Sequence, residues 1–476
     1  MPASVIRRTK IVATLGPAWE TPSQMDEMLD AGVNTVRINA SHGTPEARLE
    51  WIGRLRATRE QRQSPIGILV DLHGPRIRVG KLHDPMMLTE GQLVTFAPEA
   101  QANEGEIPTT YPELAGDVCA GARILLDDGL LEVTVTGVRG DRVDGQVRYG
   151  GLLRANKGMN LPGIDVSAPA VTDQDREEAL RVTAAGIEYL GVSFVRRAAD
   201  LESIRAIVPR GVKLVAKIEK DTALKNLDEI TEAADVLMVA RGDLGVELPF
   251  EQVPLAQKKI VQLANLYGRP VITATQMLES MIEHPRPTRA EASDVANALF
   301  DGTDAVMLSG ETAAGRYPLL AVEAMVRIAG EIEKTQAYEE GPKYDVPITH
   351  FLRSGATPTE HAIAAATVEA VGLVDAPAII TFTRTGSTTR LVSSYRPPVP
   401  ILGVSDQERT WRQLALVWGV QPVRCRDEIN YENMLAAARD YLLSNRMAKP
   451  GQRVIVTAGV PFHVRGTTNM MRVEEL

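Results

Sequence analysis

Eight short apolar runs, each about the length of a buried parallel strand, alternate with helix-period stretches along this 476-residue chain. The runs lie at residues 11–16, 35–40, 67–72, 189–194, 213–218, 236–240, 270–275 and 305–310. Helical periodicity covers 22–31, 45–61, 173–185, 199–207, 253–266, 290–300 and 318–334. Parallel strands bury both faces and need crossover helices, so eight βα units predict an α/β fold, a closed TIM (β/α)8 barrel.

The alternation breaks once. Over residues 78–168 it gives way to short alternating strands at 123–126, 130–138 and 142–148, parted by Asp127-Asp128-Gly129 and Arg139-Gly140-Asp141. This predicts an all-β, barrel-like lid inserted after strand 3. From residue 336 a C-terminal α/β domain is expected, with strands at 378–382, 401–404 and 453–457 and helices at 359–371 and 431–444. Residues 339–353 read as a linker. The expected division is a barrel of 1–77 and 169–335, near the roughly 250 residues usual for such barrels, a lid of 78–168 and a last domain of 336–476.

Composition excludes some function classes. Lys and Arg number 52 against 61 Asp and Glu, a formal charge of −9, which argues against a general binder of nucleic acid or of anionic membranes. Cys119 and Cys425 lie far apart, so no disulfide framework or cysteine-based zinc site is implied. The N-terminus lacks an export-type apolar core, and no run reaches the roughly 18 apolar residues of a membrane span, so cytoplasm is expected.

In such barrels chemistry sits at the C-terminal strand ends. Those ends carry Arg37, Asn39, Ser41 and His42; Asp71, then Arg76 and Arg78; Lys217 and Glu219; Arg241-Gly242-Asp243-Leu244-Gly245; Thr275; and Ser309. Lys217 and Glu219, two apart on a strand, share a face. Glu219 and Asp243 can jointly hold one hard divalent cation. Glycines flanking Asp243 before a helical segment suit an anion, and Arg37 and Arg78 suit phosphate. Singly, each feature has a plainer reading: an exposed ion pair, a turn, a helix cap at Ser309, a hairpin at Asp127-Asp128-Gly129, a structural His42. Their convergence on one rim favours a site for a small, highly charged phosphorylated acid.

The residues resemble those of the pyruvate kinases. The matching segments include Thr9–Pro17, Val36–Gly43, Ala216–Glu219, Met238–Glu247, Ala274–Met281, Thr288–Glu291 and Met307–Ala313, in order along the chain. The resemblance implies Mg²⁺-dependent (or Mn²⁺-dependent) phosphoryl transfer from phosphoenolpyruvate to ADP, giving pyruvate and ATP in a cytoplasmic homotetramer. Lys217 is similar to the lysine that stabilises the transferring phosphoryl group and the enolate. Glu219 and Asp243 resemble the metal ligands. Gly242 and Asp243, with Thr275, resemble the carboxylate cradle, and Arg37 the phosphate ligand. Asn39, Ser41, His42, Arg78 and Lys157 resemble groups around the nucleotide, and Thr275 and Ser309 lie where the enolate is protonated. The loop Thr383-Arg384-Thr385-Gly386-Ser387-Thr388 resembles the family's site for a phosphorylated effector, and Thr467-Thr468-Asn469 its ending. No phosphohistidine-type domain is expected after Leu476.

Two departures carry weight. Members that need K⁺ hold it among groups like Asn39, Ser41, Asp71 and the Leu72 carbonyl. Many of them read Thr and Glu where this chain has Leu72 and Arg76. A guanidinium at position 76 would supply the missing charge, so K⁺ is expected to be dispensable. Ala40 also replaces a common Phe. A Mg²⁺-dependent lyase on a similar barrel, or a metabolite sensor with a dead site, is the alternative. The lid and paired phosphate donors argue against the first, and intact Lys217 and Glu219 against the second.

Overall fold

The computed structural model describes residues 7–19, 21–75, 77–335, 338, 356–426, 430–461 and 468–476. The chain begins with β1 (Lys10–Thr14), β2 (Thr35–Asn39) and β3 (Gly67–Asp71). The inserted segment follows with β4 (Met86–Leu88), β5 (Leu93–Pro98), β6 (Ile107–Thr109), β7 (Arg123–Leu126), β8 (Leu131–Arg139), β9 (Arg142–Tyr149), β10 (Gly151–Leu153) and β11 (Met159–Asn160). Then come β12 (Tyr189–Val192), β13 (Lys213–Ile218), β14 (Val236–Ala240), β15 (Val271–Ala274) and β16 (Ala305–Leu308). The last five are β17 (Ile379–Phe382), β18 (Ile401–Ser405), β19 (Val420–Arg424), β20 (Arg453–Gly459) and β21 (Thr468–Glu475).

β1–β3 and β12–β16 close into an all-parallel barrel in the order β1-β16-β15-β14-β13-β12-β3-β2. The strands are mostly apolar because both faces are buried, with Lys10, Arg37, Asp71 and Lys217 among the polar exceptions. Val12 joins an interior cluster with Leu69, Tyr189, Val215, Met238 and Ile272, while its neighbours Ile11 and Ala13 pack under the surrounding helices. The C-terminal domain stoppers the foot of the barrel. Leu416 enters that interior cluster, the Tyr189 hydroxyl donates to the Gln413 carbonyl, and Lys10 Nζ donates to the Val420 carbonyl at 2.7 Å. Chemistry is left the opposite end, where the strands finish.

The lid forms a six-stranded sheet, β11-β7-β8-β9-β5-β6, and a two-stranded one, β10-β4. Sequence alternation located β7, β8 and β9 and missed the other five, which span two to six residues each and offer too few alternations to register. β8 starts at Leu131 because Leu130, at the tip of the preceding turn, is exposed. In the C-terminal sheet, β19-β18-β17-β20-β21, the sequence reading missed β19, antiparallel β21 and the helix Ser387–Ser394. The linker expected at 339–353, together with Arg76 and Thr467, lies outside the described residues.

Two buried charges fix where the lid leaves and re-enters the barrel. Asp175 caps the helix Asp173–Ala184 in a capping box with Thr172. Its Oδ1 also accepts the backbone N–H groups of His73 (3.0 Å) and Gly74 (3.1 Å), pinning the segment that leaves β3. Arg196, beyond β12, donates to the carbonyls of Val166 and Ala168 on the return segment. Asp175→Ala removes a cap and strands two inward N–H groups. It is expected to cost about 3 kcal/mol, read as a lowered urea midpoint; an unchanged midpoint would refute this role.

Candidate functional site

The strand ends surround a cavity of about 380 Å³. Its wall takes Arg37 and Asn39 from β2, Ser41 beyond it, Ser193 and Phe194 after β12, Lys217 and Glu219 at the end of β13, and Asp243, Thr275 and Ser309 from the later strands. Arg78, Asp128 and Asn160 reach in from the inserted segment.

A chain of ion pairs organises the floor. Arg37 Nε meets Asp71 Oδ2 at 2.6 Å, and Arg37 Nη1 donates to Thr14 Oγ1 at 3.2 Å. Lys217 Nζ lies 2.7 Å from Glu219 Oε1 and 4.0 Å from Asp71 Oδ2. It also donates to Ser193 Oγ (2.8 Å), whose own hydrogen goes to the Leu72 carbonyl (2.8 Å). Glu219 Oε2 accepts the backbone N–H of Phe194 at 2.6 Å. Gly191 makes room for Asp71: an added Cβ there would lie 2.0 Å from Asp71 Oδ1.

Charges of both signs meet here. Burial opposes charge on Lys217, but Glu219 and Asp71 outweigh it and hold the ammonium above the ordinary lysine value. Burial, reinforced by Asp243, pushes the Glu219 carboxyl up to about 7 despite Lys217. On the floor Asp71, Glu219 and Asp243 face Arg37 and Lys217, while Arg78, Arg196, Lys220 and Asp128 line the wall above. Asp71 Oδ1 is buried without a hydrogen-bond partner. Among the described residues no group of three or more His, Cys, Asp or Glu is placed to hold a metal ion by itself. Two carboxylates suit a hard ion such as Mg²⁺ that keeps water and substrate oxygens in its other positions.

A strained turn builds the other wall. Thr275 (φ +65°) and Gln276 (φ +53°) are both left-handed, a conformation that costs about 1 kcal/mol or more for each non-glycine residue. Arg241 holds them there. Its guanidinium donates to the Thr275 carbonyl (2.8 Å) and the Gln276 carbonyl (3.1 Å) and pairs with Asp294 at 2.6 Å. The turn presents Thr275 Oγ1 to the Gly242 N–H at 2.8 Å. The glycines expected ahead of a helix lie inside it, in Arg241–Glu247. The Gly242 N–H is therefore engaged by Thr275, and an incoming carboxylate has to displace or share that contact. Ser309 Oγ is buried without a partner at the end of β16, and its backbone N–H donates to Glu311 Oε2 at 2.7 Å.

Most residues singled out in the sequence come together here. Arg37, Asn39, Ser41, Arg78, Lys217, Glu219, Asp243, Thr275 and Ser309 line the cavity; Asp71 and Leu72 lie beneath it and Gly242 behind Thr275. His42 and Lys157 do not line it. His42 is exposed on a turn whose carbonyls are held by Arg48, and Lys157 Nζ pairs with Asp127 at 2.8 Å on the lid. The loop Thr383–Thr388 is in the C-terminal domain, where Gly386 (φ +84°) starts a helix, its N–H donates to Thr383 Oγ1, and Thr388 shares a hydroxyl contact with Thr468. The sequence reading missed Ser193, Asn160 and the reach of Asp128 into the site, and it placed Arg241 at a strand end without its role as a clamp. For Ser193 the signal was a hydroxyl where the apolar run ends; reading the strand to residue 194 hid it.

Comparison with known proteins gives the same direction. The family described as "Pyruvate kinase, barrel domain" matches residues 6–322, and "Pyruvate kinase, alpha/beta domain" matches 361–474. A pyruvate kinase of Geobacillus stearothermophilus is 43% identical over 98% of this chain and 80% of its own length. One from Methylorubrum extorquens is 41% identical over 98% of this chain and 97% of its own, and "Pyruvate kinase 2" of Synechocystis sp. is 42% identical over 98% and 79%.

Ser193 orients Lys217 without carrying charge itself. Ser193→Ala is expected to lower kcat about tenfold or more, the scale of one hydrogen bond to a charged group, with Tm little changed. Wild-type kcat would show that Glu219 and Asp71 suffice to place the ammonium.

Proposed function

This chain belongs to the pyruvate kinase family, and from that premise we propose that the cavity moves a phosphoryl group from phosphoenolpyruvate to ADP, with Lys217, Arg37, Glu219, Asp243, Thr275 and Ser309 as its working residues. The observation that carries the reading is the Lys217 ammonium, kept charged between Glu219 and Asp71 on the floor of a pocket that Arg37, Arg78 and Arg196 also line. The working units in this proposal are the barrel (1–77 and 169–335), the lid (78–168) and a C-terminal domain (336–476) for effector binding and oligomerisation.

Phosphoryl transfer is mostly positioning and charge neutralisation. Arg37, anchored through Nε on Asp71, offers its remaining N–H groups to the substrate phosphate. The substrate carboxylate lies against Gly242, Asp243 and Thr275. The P–O bond to the enol oxygen breaks, and a bond forms to the terminal phosphate oxygen of ADP. Lys217 stands where negative charge gathers on the transferring group and on the departing enolate oxygen. The enolate then takes a proton at its methylene carbon, through water held near Thr275 and Ser309, to give pyruvate. A Mg²⁺ or Mn²⁺ held by Glu219 and Asp243 would neutralise charge on the phosphate and enolate oxygens. Asn39, Ser41 and Arg78 border the nucleotide side; Lys157 joins them if the lid shifts, and His42 if its side chain turns inward. Closing the lid excludes water, which would otherwise hydrolyse the phosphoryl donor.

K⁺ independence is part of the proposal. It rests on Leu72 and Arg76 in the sequence and on the unpartnered Oδ1 of Asp71, which leaves the region where a monovalent ion would sit anionic. A homotetramer is the proposed assembly; Phe250 and Leu255, strongly exposed beside the helix Arg241–Glu247, are apolar surface that a neighbouring subunit would cover. A phosphorylated effector at Thr383–Thr388 and a cytoplasmic setting complete the reading. No helix among the described residues is long and apolar enough to cross a membrane.

Pyruvate formation is expected to be equally strong in K⁺-free and K⁺-containing buffer with Mg²⁺, and to vanish with chelator. Arg76→Glu is expected to confer K⁺ dependence, whereas collapse of the native activity without K⁺ would remove Arg76 from this role. Asp243→Asn is expected to lower kcat by about 10²–10³-fold, the scale of one electrostatic contact to developing charge.

A further inference from the structure

Two buried charges beside the cavity have no part in the reaction above. Lys220 follows Glu219, and Glu247 ends the helix Arg241–Glu247 that carries Asp243. Lys220 Nζ and Glu247 Oε1 are 2.5 Å apart, with side chains only 10% and 2% exposed. The same ammonium sits 5.9 Å from the centre of the Phe194 ring, and the Phe194 N–H donates to Glu219 Oε2. The pair therefore clamps the Asp243 helix onto the segment holding Glu219.

A third member comes from the lid. Asn160, in β11, donates from Nδ2 to the same Glu247 oxygen across 3.4 Å. Only the amide nitrogen can face a carboxylate, so the orientation of the amide is fixed. The two contacts differ in kind. The lysine bond is short, charged and within the barrel. The asparagine bond has an uncharged donor and is longer than the usual 2.7–3.2 Å of N–H···O contacts, so it can tighten when the lid moves inward and lengthen when it opens, while the clamp stays closed.

We propose that Asn160, Glu247 and Lys220 are positioning residues through which the lid, on closing over nucleotide, sets the helix Arg241–Glu247 and so tightens phosphoenolpyruvate binding. The inference rests on the assignment of Gly242 and Asp243 to substrate and metal. None of the three residues needs to touch the reacting atoms. Their effect appears in how the two substrates influence each other, a coupling that is reciprocal by linkage.

Initial-rate kinetics with Mg²⁺, phosphoenolpyruvate and ADP measure that coupling as the ratio of the phosphoenolpyruvate constant at vanishing ADP to its value at saturating ADP. In the wild type the ratio is expected to exceed one clearly. Asn160→Ala is expected to reduce it by about tenfold or to unity, the scale of a hydrogen bond to a charged group, with Tm little changed. Asn160→Asp sets a second carboxylate against Glu247 and is expected to abolish the coupling. Adding Glu247→Gln to it returns one carboxylate and one amide to the trio and is expected to restore the coupling in part. A wild-type ratio of one, an unchanged ratio in Asn160→Ala, or a double variant no better than Asn160→Asp would each overturn the proposal. Asp243→Asn tests the underlying assignment separately: full turnover in that variant sinks the site reading, whatever the coupling shows.

Discussion

Asp71, Glu219 and Asp243 share the floor of the barrel mouth with Arg37 and Lys217, above an apolar barrel interior, and the architecture around them holds that set in place. Desolvation alone would neutralise such groups. Asp71 is paired with Arg37 from the neighbouring strand, where Asn39 of β2 is in register with Asp71 of β3. Lys217 survives because Glu219, Asp71 and the Ser193 hydroxyl surround it. Glu219 is the least settled member, and a divalent cation between it and Asp243 removes the cause. The barrel thus holds a site in which a divalent cation would offset the repulsion between Glu219 and Asp243.

That requirement explains where local strain sits. Thr275 and Gln276 occupy left-handed backbone positions that neither residue favours, and Arg241 spends its guanidinium holding them. The return is a hydroxyl facing the Gly242 N–H from an adjacent strand. Gly191 has the converse role: a side chain there would collide with the Asp71 carboxylate. A fixed turn and an empty position together define the shape of the pocket more tightly than its apolar neighbours do.

Much of this was legible in the sequence for a simple physical reason. Strands buried on both faces must be continuously apolar, so their ends show as the first polar residues. Arg37, Lys217, Glu219, Thr275 and Ser309 stand at or just past those ends. Pairings between strands were not legible, because the contact of Arg37 with Asp71 depends on register and the link from Ser193 to Lys217 on which way a small hydroxyl turns. His42 and Lys157 show the limit of reading residue type alone. Both sit near the right segments, but Arg48 fixes the turn that carries one, and Asp127 holds the other on the lid. Four of the missed lid strands were lost because alternation over two or three residues cannot be told from chance, and β5 because its last three residues are all buried, which breaks the alternation.

A lid over such a site has to do two things that oppose one another. It must leave freely enough to admit nucleotide, and it must seat firmly enough to exclude water from a phosphoryl group in transit. A lid seated by many buried apolar contacts would satisfy only the second. Among the described residues the polar links between barrel and lid include carbonyls of the return segment on Arg196 and the Asp165 carboxylate on Arg196 and Arg197 at the hinge, and an amide on Glu247 near the cavity. Hydrogen bonds of this kind exchange readily with water, so opening costs little. Their geometry is still directional enough that a seated lid has one position relative to the helix bearing Asp243. Placing the rigid ion pair within the barrel and the exchangeable bond across the gap lets the lid move without disturbing the charges it covers.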